Sequence, residues 1–340
     1  MINSLFKQWS AFEKKQQAVL CSVVEWKGSV PRKDYPMMLV LEDGRILGTI
    51  GGGSMELKVT RRALEMIDKT GSQLLDFDMT GTDLDGDVGL CGGTLKVLIE
   101  PFSKEIETFL DNTMDQMTQN KRVMVQLSID RQESESVERK IITSRKDIQA
   151  SEPALVKRIQ SLFENQKTGS FDHEGKHYLI WQPFTPPVIH IFGAGHVGQA
   201  VAELAHFNEL EVAVYDDRMG LLTAARFPYA QRIPLSFPII WEEFSGPDND
   251  DFVLIASREH KHDRELLRGI LNAQPAYVGL VSSARKWRYL AEGLLLDGVD
   301  PAAIEKVHAP VGMNIDAQTV PEIAISVLSE IIAEYRRIEA

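Results

Sequence analysis

Gly193-Ala194-Gly195-His196-Val197-Gly198 has the residue types and spacing of a phosphate-binding turn. In such a turn the first glycine permits a sharp bend and the second lets backbone N–H groups approach a phosphate. The third allows a helix to pack closely on the preceding strand. The motif alone is weak, but its surroundings match: an apolar run at 188–192 precedes it, an Ala-rich helical stretch follows, and Asp216 ends the next strand-like run. A helix starting there would add partial positive charge and unpaired donors. Asp216 could accept from a ribose hydroxyl, while Asp217 and Arg218 leave the choice between NAD and NADP open. A ligand-free strand–helix turn is the plainer alternative; phosphate recognition is the reading that the full context favours.

Gly51-Gly52-Gly53, followed by Ser54 and a helical pattern, is a second place where backbone donors can cradle an anion. From the residues alone, a bulge or a close backbone crossing explains it equally well. Glu56 falls in that helix's first turn, where its charge complements the helix dipole without any ligand. Cys91 lies in Gly89-Leu90-Cys91-Gly92-Gly93, whose glycines leave a thiol approachable as a soft ligand or nucleophile. Backbone donors and Arg32, if near, would favour its thiolate. A buried structural cysteine is the alternative of equal weight, and Cys21, inside an apolar strand pattern, is expected to be one. Asp83-Leu84-Asp85-Gly86-Asp87 is excluded as a calcium loop, because its glycine comes early and Thr94 stands where a bidentate Glu is needed. Arg258-Glu259-His260-Lys261-His262-Asp263 follows the apolar run 252–257, at the strand end where open sheets bind ligands. On a strand or loop His260 and His262 could point the same way, but zinc lacks a third ligand. A polar loop with one solvated histidine accounts for the segment too. His196, inside the phosphate loop, is the other notable imidazole.

Two differently built regions must position these residues. Upstream of Pro183, Pro186 and Pro187, strands are expected at 18–26, 37–41, 45–50, 73–77, 94–99, 122–129 and 177–181. A hairpin turn is expected at Glu42-Asp43-Gly44 and another turn at 172–175. Helices are expected at 54–69 and 152–165. The implied architecture is a small mixed sheet in an α+β domain over residues 1–187, with 102–169 carrying no legible chemistry. Strands and helices then alternate: 188–192, 199–208, 211–215, 252–257, 263–272, 277–280, 285–297, and a final helix at 321–337. Such alternation predicts a Rossmann-like, doubly wound parallel sheet over 188–340, so the fold class is α/β.

The 340 residues suit two domains, and 44% hydrophobic with 25% charged residues excludes general disorder. A net charge of −12 opposes an extended nucleic-acid surface. Two cysteines are too few for a disulfide framework and fit a reducing, cytoplasmic setting. No basic-then-apolar leader is visible at the start, and no apolar run reaches the roughly 18 residues that span a bilayer.

Taken together, the motifs resemble the xanthine dehydrogenase accessory protein family, the XdhC-type chaperones of molybdenum hydroxylases. The matching segments are Gly28-Ser29-Val30-Pro31-Arg32, Gly48 to Gly53 with Glu56, Cys91-Gly92-Gly93, Gly193 to Gly198, Asp216-Asp217-Arg218, Arg258 to Asp263, Pro310-Val311-Gly312, and Pro321-Glu322-Ile323-Ala324 with Ser326. The resemblance implies binding of the molybdenum cofactor (molybdopterin), its protection during sulfuration, and delivery to an apo xanthine dehydrogenase-like enzyme. It also implies contact with a sulfur donor, a cysteine desulfurase, and self-association as a dimer or larger oligomer. Under it, the cofactor-binding residues are Gly28, Ser29, Arg32, Gly51, Gly52, Gly53, Glu56, Cys91, Gly92, Gly93, Gly193, Gly195, His196, Gly198, Asp216, Asp217, Arg218, Arg258, His260 and Asp263. Cys91 is the candidate molybdenum ligand, and the Rossmann loop is open to NAD(P) or another nucleotide. Two segments depart from the family's pattern. Ser282-Ser283-Ala284-Arg285-Lys286 stands for Gly-Ser-Arg-x-Lys, and Gly312-Met313-Asn314-Ile315-Asp316-Ala317 for Gly-Leu-Asp-Ile-Gly-Ala. A diverged paralogue serving another molybdenum enzyme would carry such changes. The competing classes are an NAD(P)-dependent oxidoreductase with His260 or His196 as acid/base, and a nucleotide-sensing module.

Overall fold

The computed structural model describes residues 5, 16–79, 92–119, 123–130, 136–150, 152–183, 187–235, 247, 249–257 and 260–339. The chain divides into two compact units, Met1–Thr185 and Pro186–Ala340.

In the first unit, β1 (Ala18–Gly28), β2 (Met37–Leu41), β3 (Ile46–Gly48), β4 (Gln73–Asp78) and β5 (Gly93–Pro101) form an antiparallel sheet in the order β3-β2-β1-β5-β4. The central strand β1 is buried on both faces, which is why its sequence is a continuous apolar run rather than an alternating one. Val19, Cys21 and Val23 pack with Met55, Val59 and Ala63 of helix α1 (Gly53–Leu64). Ala18 and Leu20 face the other way, onto Ile106 and Leu110 of α2 (Lys104–Gln119). A register shift between Val23 and Glu25 brings Trp26 round to the α1 side, while Val24, on the same face as Ala18 and Leu20, packs in a cluster with a second sheet. That sheet consists of β6 (Met124–Asp130), β7 (Val137–Ile142), β8 (Gly169–His173) and β9 (Lys176–Trp181), antiparallel in the order β7-β6-β9-β8. Helix α3 (Pro153–Glu164) covers it with Leu155, Ile159 and Phe163.

The single mixed sheet expected from the sequence is therefore two antiparallel sheets. Helix α2 was not expected, although Ile106, Phe109, Leu110 and Met114 have helical spacing, because acidic and amide residues dilute the apolar stripe. Strand β8 reaches His173, so only Glu174 and Gly175, both at positive φ, make the turn expected over 172–175. The hairpin at Glu42-Asp43-Gly44 is present, closed by Gly44 N–H donating to the Leu41 carbonyl at 2.9 Å.

In the second unit, β10 (Ile189–Phe192), β11 (Val212–Asp216), β12 (Gln231–Pro234), β13 (Phe252–Ile255), β14 (Tyr277–Leu280) and β15 (Val307–His308) are all parallel, in the order β12-β11-β10-β13-β14-β15. The chain winds outward from β10 to one side and then from β13 to the other, the doubly wound order with its switch point between β10 and β13. Helices α4 (His196–Phe207), α5 (His260–Ala273), α6 (Ala284–Leu296), α7 (Pro301–Ile304) and α8 (Val320–Glu339) complete the unit. Leu266, Leu267 and Ile270 of α5 and Leu290 and Leu294 of α6 pack on the sheet, while α8 lies against α4. The α/β class expected from strand–helix alternation is the one observed. Strands β12 and β15 escaped sequence reading because they are short and only partly buried. Among the described residues no helix is long and apolar enough to cross a membrane.

Candidate functional site

The loop between β10 and α4 has the three-glycine geometry in full. A Cβ on Gly193, whose φ is +129°, would lie 2.4 Å from the Ala256 carbonyl oxygen at the end of β13. A Cβ on Gly198 would lie 2.0 Å from the Gly193 carbonyl oxygen, so the helix start is pressed onto the turn. At Gly195, the N-cap of α4, a Cβ would meet nothing within 4 Å. Two glycines thus permit backbone to meet backbone, and the middle one leaves open space over a helix N-terminus whose first N–H groups lack intrahelical partners. His196 is the first helical residue rather than part of the loop.

Asp216 does not have the role expected of it. It is 1% exposed, and its two oxygens are fully engaged. Oδ2 accepts from Ala194 N–H at 2.6 Å and Arg218 Nη2 at 2.7 Å; Oδ1 accepts from Arg218 N–H at 2.9 Å and Nε at 2.8 Å. A ribose hydroxyl would have to displace one of these donors. Asp216 instead ties the glycine loop to the segment after β11, while the neighbouring Asp217 is half exposed. The Arg218 guanidinium and the two backbone N–H groups outweigh burial and hold the Asp216 carboxyl down at about 2. Because this lies below the ordinary value, the stabilisation is complete above about pH 4 and is lost as pH falls toward 2. Asp216→Asn should therefore cost about 3 kcal/mol at pH 7, since Arg218 loses its counter-charge. The difference from wild type in urea melts should shrink at pH 3; a gap independent of pH would contradict this assignment.

On the far side of the switch point, Asp263 is fully buried in the first turn of α5. It accepts from the Ser257 hydroxyl and pairs through Oδ2 with Lys286 Nζ at 2.5 Å. Lys286 falls at the lysine of the Gly-Ser-Arg-x-Lys pattern, whose departures in this chain are Ser282 and Ala284, but it was not among the expected site residues. The helix begins at His260, so His260 and His262 belong to a helix rather than to the strand or loop expected. Arg258 and the side chains of His260 and His262 lie outside the described residues.

In the first unit, three glycine segments far apart in sequence come together. Gly28, at φ +74°, pairs with Gly93 across β1 and β5, and a Cβ on it would lie 3.1 Å from the Gly92 carbonyl oxygen. A Cβ on Gly93 would fall 2.4 Å from the Ser29 carbonyl oxygen and 2.5 Å from that of Lys27. Three residues on, Pro31 packs against Gly51, where a Cβ would be 2.9 Å from the proline Cβ. The segment from Gly28 to Arg32 therefore joins Gly92-Gly93 on one side to Gly51-Gly52-Gly53 on the other. Around Gly52, Gly53 and Gly92, all at positive φ, the Cβ direction is open.

The donors before α1 are not left for an external anion. Glu56 accepts from Ile50 N–H at 2.9 Å, Gly52 N–H at 3.1 Å and the Thr49 hydroxyl at 2.5 Å. These bonds outweigh its desolvation and lower its pKa. Glu56 thus builds the glycine turn, a larger role than complementing the helix dipole. Arg32 pairs with Asp34 at 3.0 and 2.5 Å, so its charge is balanced locally. Ser29 is exposed beside it. Cys91 and the segment Asp83 to Asp87 lie outside the described residues. Cys21 is buried in the sheet core, and burial pushes its thiol pKa up, as suits a structural cysteine.

Comparison with known proteins matches both units to related models. Residues 189–331 match the XdhC Rossmann domain, and residues 11–78 match the XdhC and CoxI family. A probable xanthine dehydrogenase subunit of Bacillus subtilis (strain 168) is 28% identical over 330 residues, covering 96% of each chain. Uncharacterized protein YqeB of Escherichia coli (strain K12) is 28% identical over 316 residues, which span 92% of this chain but 42% of that one. A crystal structure described as a xanthine dehydrogenase from Bacillus halodurans superposes with a TM-score of 0.80 at 26% identity, covering 99% of this chain and 96% of the other.

Proposed function

Because the chain belongs to the XdhC family, we propose that it binds the molybdenum cofactor as cargo and delivers it to an apo molybdenum hydroxylase of the xanthine dehydrogenase kind. The observation that best supports this reading is the convergence of Gly28–Arg32, Gly51-Gly52-Gly53 and Gly92-Gly93 on one part of the first unit. Close approach of one protein segment to another accounts for Gly28, Gly51 and Gly93, whereas Gly52, Gly53 and Gly92, with no described atom in their Cβ directions, leave main chain that a flat ligand can approach. Cys91, directly before Gly92, would offer the metal a soft thiolate. In the second unit, taken by itself, the open turn at Gly195 suits a phosphate-bearing ligand. Contact with a cysteine desulfurase, self-association and a cytoplasmic setting belong to the same proposal.

An NAD(P)-dependent oxidoreductase is the competing reading, and the engagement of Asp216 by Ala194 and Arg218 argues against it by removing the acceptor for a ribose hydroxyl. One preparation distinguishes the two. Protein purified from cells that make the cofactor should carry pterin and molybdenum by mass spectrometry and metal analysis, should turn over no nicotinamide substrate, and should raise the activity of a co-expressed apo hydroxylase. Bound NAD(H) alone, with turnover of a defined substrate, would overturn the proposal.

A further inference from the structure

The loops that follow β10, β13 and β14 lie side by side at the carboxyl edge of the parallel sheet. Gly193 is pressed against Ala256, and Val281 N–H donates to the Ile255 carbonyl at 2.9 Å. Helices α4, α5 and α6 start from these loops, so three helix N-termini with their partial positive charges share this edge. On the β14 side, Lys286 stands in the first turn of α6, where the helix dipole disfavours a cation. It is held there by the fully buried Asp263, itself bonded to Ser257. Burying an ion pair seldom adds stability over apolar packing, so its retention at a ligand-binding edge calls for another reason. An ammonium has three donors, and Asp263 fixes its position while leaving donors for a further acceptor. The second observation is Ser282: its hydroxyl oxygen is buried in the same β14–α6 loop with no hydrogen-bond partner among the described residues. Orphaned buried hydroxyls are uncommon and signal a missing partner.

We propose that Lys286 and Ser282 form a second anion-binding point in the crevice, so that the ligand of this unit carries two negatively charged groups. One group sits at Gly193–Gly198, and the other lies two strand spacings away, roughly 10 Å along the sheet edge. This inference rests on reading Gly193–Gly198 as a phosphate loop. The ligand class is a phosphate ester whose far end is also anionic.

Calorimetry on the full chain with glucose 6-phosphate and glucose 1,6-bisphosphate tests it, because the second sugar carries phosphates at both ends of one ring. Wild type should bind the bisphosphate about tenfold more tightly than the monophosphate. Lys286→Met should abolish that preference and leave monophosphate affinity unchanged, and Gly195→Val should abolish binding of both. Should Lys286→Met fail to fold around an unpaired Asp263, the double variant Lys286→Met/Asp263→Asn removes both charges, and Ser282→Ala should by itself reduce the preference. A preference untouched in a folded Lys286 variant and in Ser282→Ala, with Gly195-dependent monophosphate binding intact, overturns the second point alone. Binding of neither sugar phosphate to wild type overturns the loop reading and this proposal together.

Discussion

Gly195→Val should leave the second unit folded and abolish its binding of phosphate ligands. The backbone at Gly195 is extended, with φ −70° and ψ −172°, a conformation that valine accepts readily. Its Cβ direction is empty to 4 Å among the described residues, so none of their atoms must move. The same emptiness is the space a phosphate needs to reach the N–H groups at the start of α4, and two methyl groups fill it. Gly198→Ala is the contrasting control. Its methyl would meet the Gly193 carbonyl oxygen at 2.0 Å, a backbone atom that cannot rotate away, so a cost of about 3 kcal/mol and a fall of roughly 10 °C in Tm are expected. Thermal melts and calorimetry on both variants check this. A folded Gly195→Val protein that binds as wild type does would remove the loop from the site.

Cys91→Ser should preserve folding and lower molybdenum retention by at least about tenfold, because serine keeps the size of cysteine but is a harder and far less acidic ligand. The neighbouring Gly92 and Gly93 are anchored against Gly28 and Ser29, so the glycine framework beside Cys91 should survive the change. Cys21→Ser should behave oppositely. Cys21 is fully buried, so a hydroxyl there costs about 1–3 kcal/mol while cofactor content in the folded fraction stays the same. Molybdenum stoichiometry and melting temperature must come from one preparation. A destabilised Cys91→Ser protein with full molybdenum occupancy would place Cys91 in the core and end its role as a ligand.

What this sequence determines by itself is whatever rests on short-range pattern. The glycine turn between β10 and α4 was legible because its three glycines, the strand before and the helix after are contiguous, and the doubly wound sheet because alternation of strands and helices leaves few other topologies. The burial of Cys21 followed from the apolar run around it. Tertiary structure decided everything that depends on which partner a polar group finds. Asp216 stands where a ribose acceptor is expected, yet its oxygens are taken by Ala194 and Arg218, a competition that no motif records. Glu56, which the residues alone gave only a helix-dipole role and the family resemblance a place among cofactor-binding residues, folds its carboxylate back onto Ile50 and Gly52 and so builds the glycine turn. Lys286 stands at the lysine of the Gly-Ser-Arg-x-Lys pattern, but its pairing with Asp263, which Ser257 also bonds, joins segments that follow different strands and exists only in the fold. Of the second antiparallel sheet, β6 and β9 were legible as apolar runs, whereas β7, β8 and α2 were not, because polar residues dilute their apolar positions. Hydrophobic periodicity and glycine spacing are local properties that a sequence carries directly. Pairing of buried charges and donors is settled by the packed chain, where each group takes the nearest partner that offsets its loss of water.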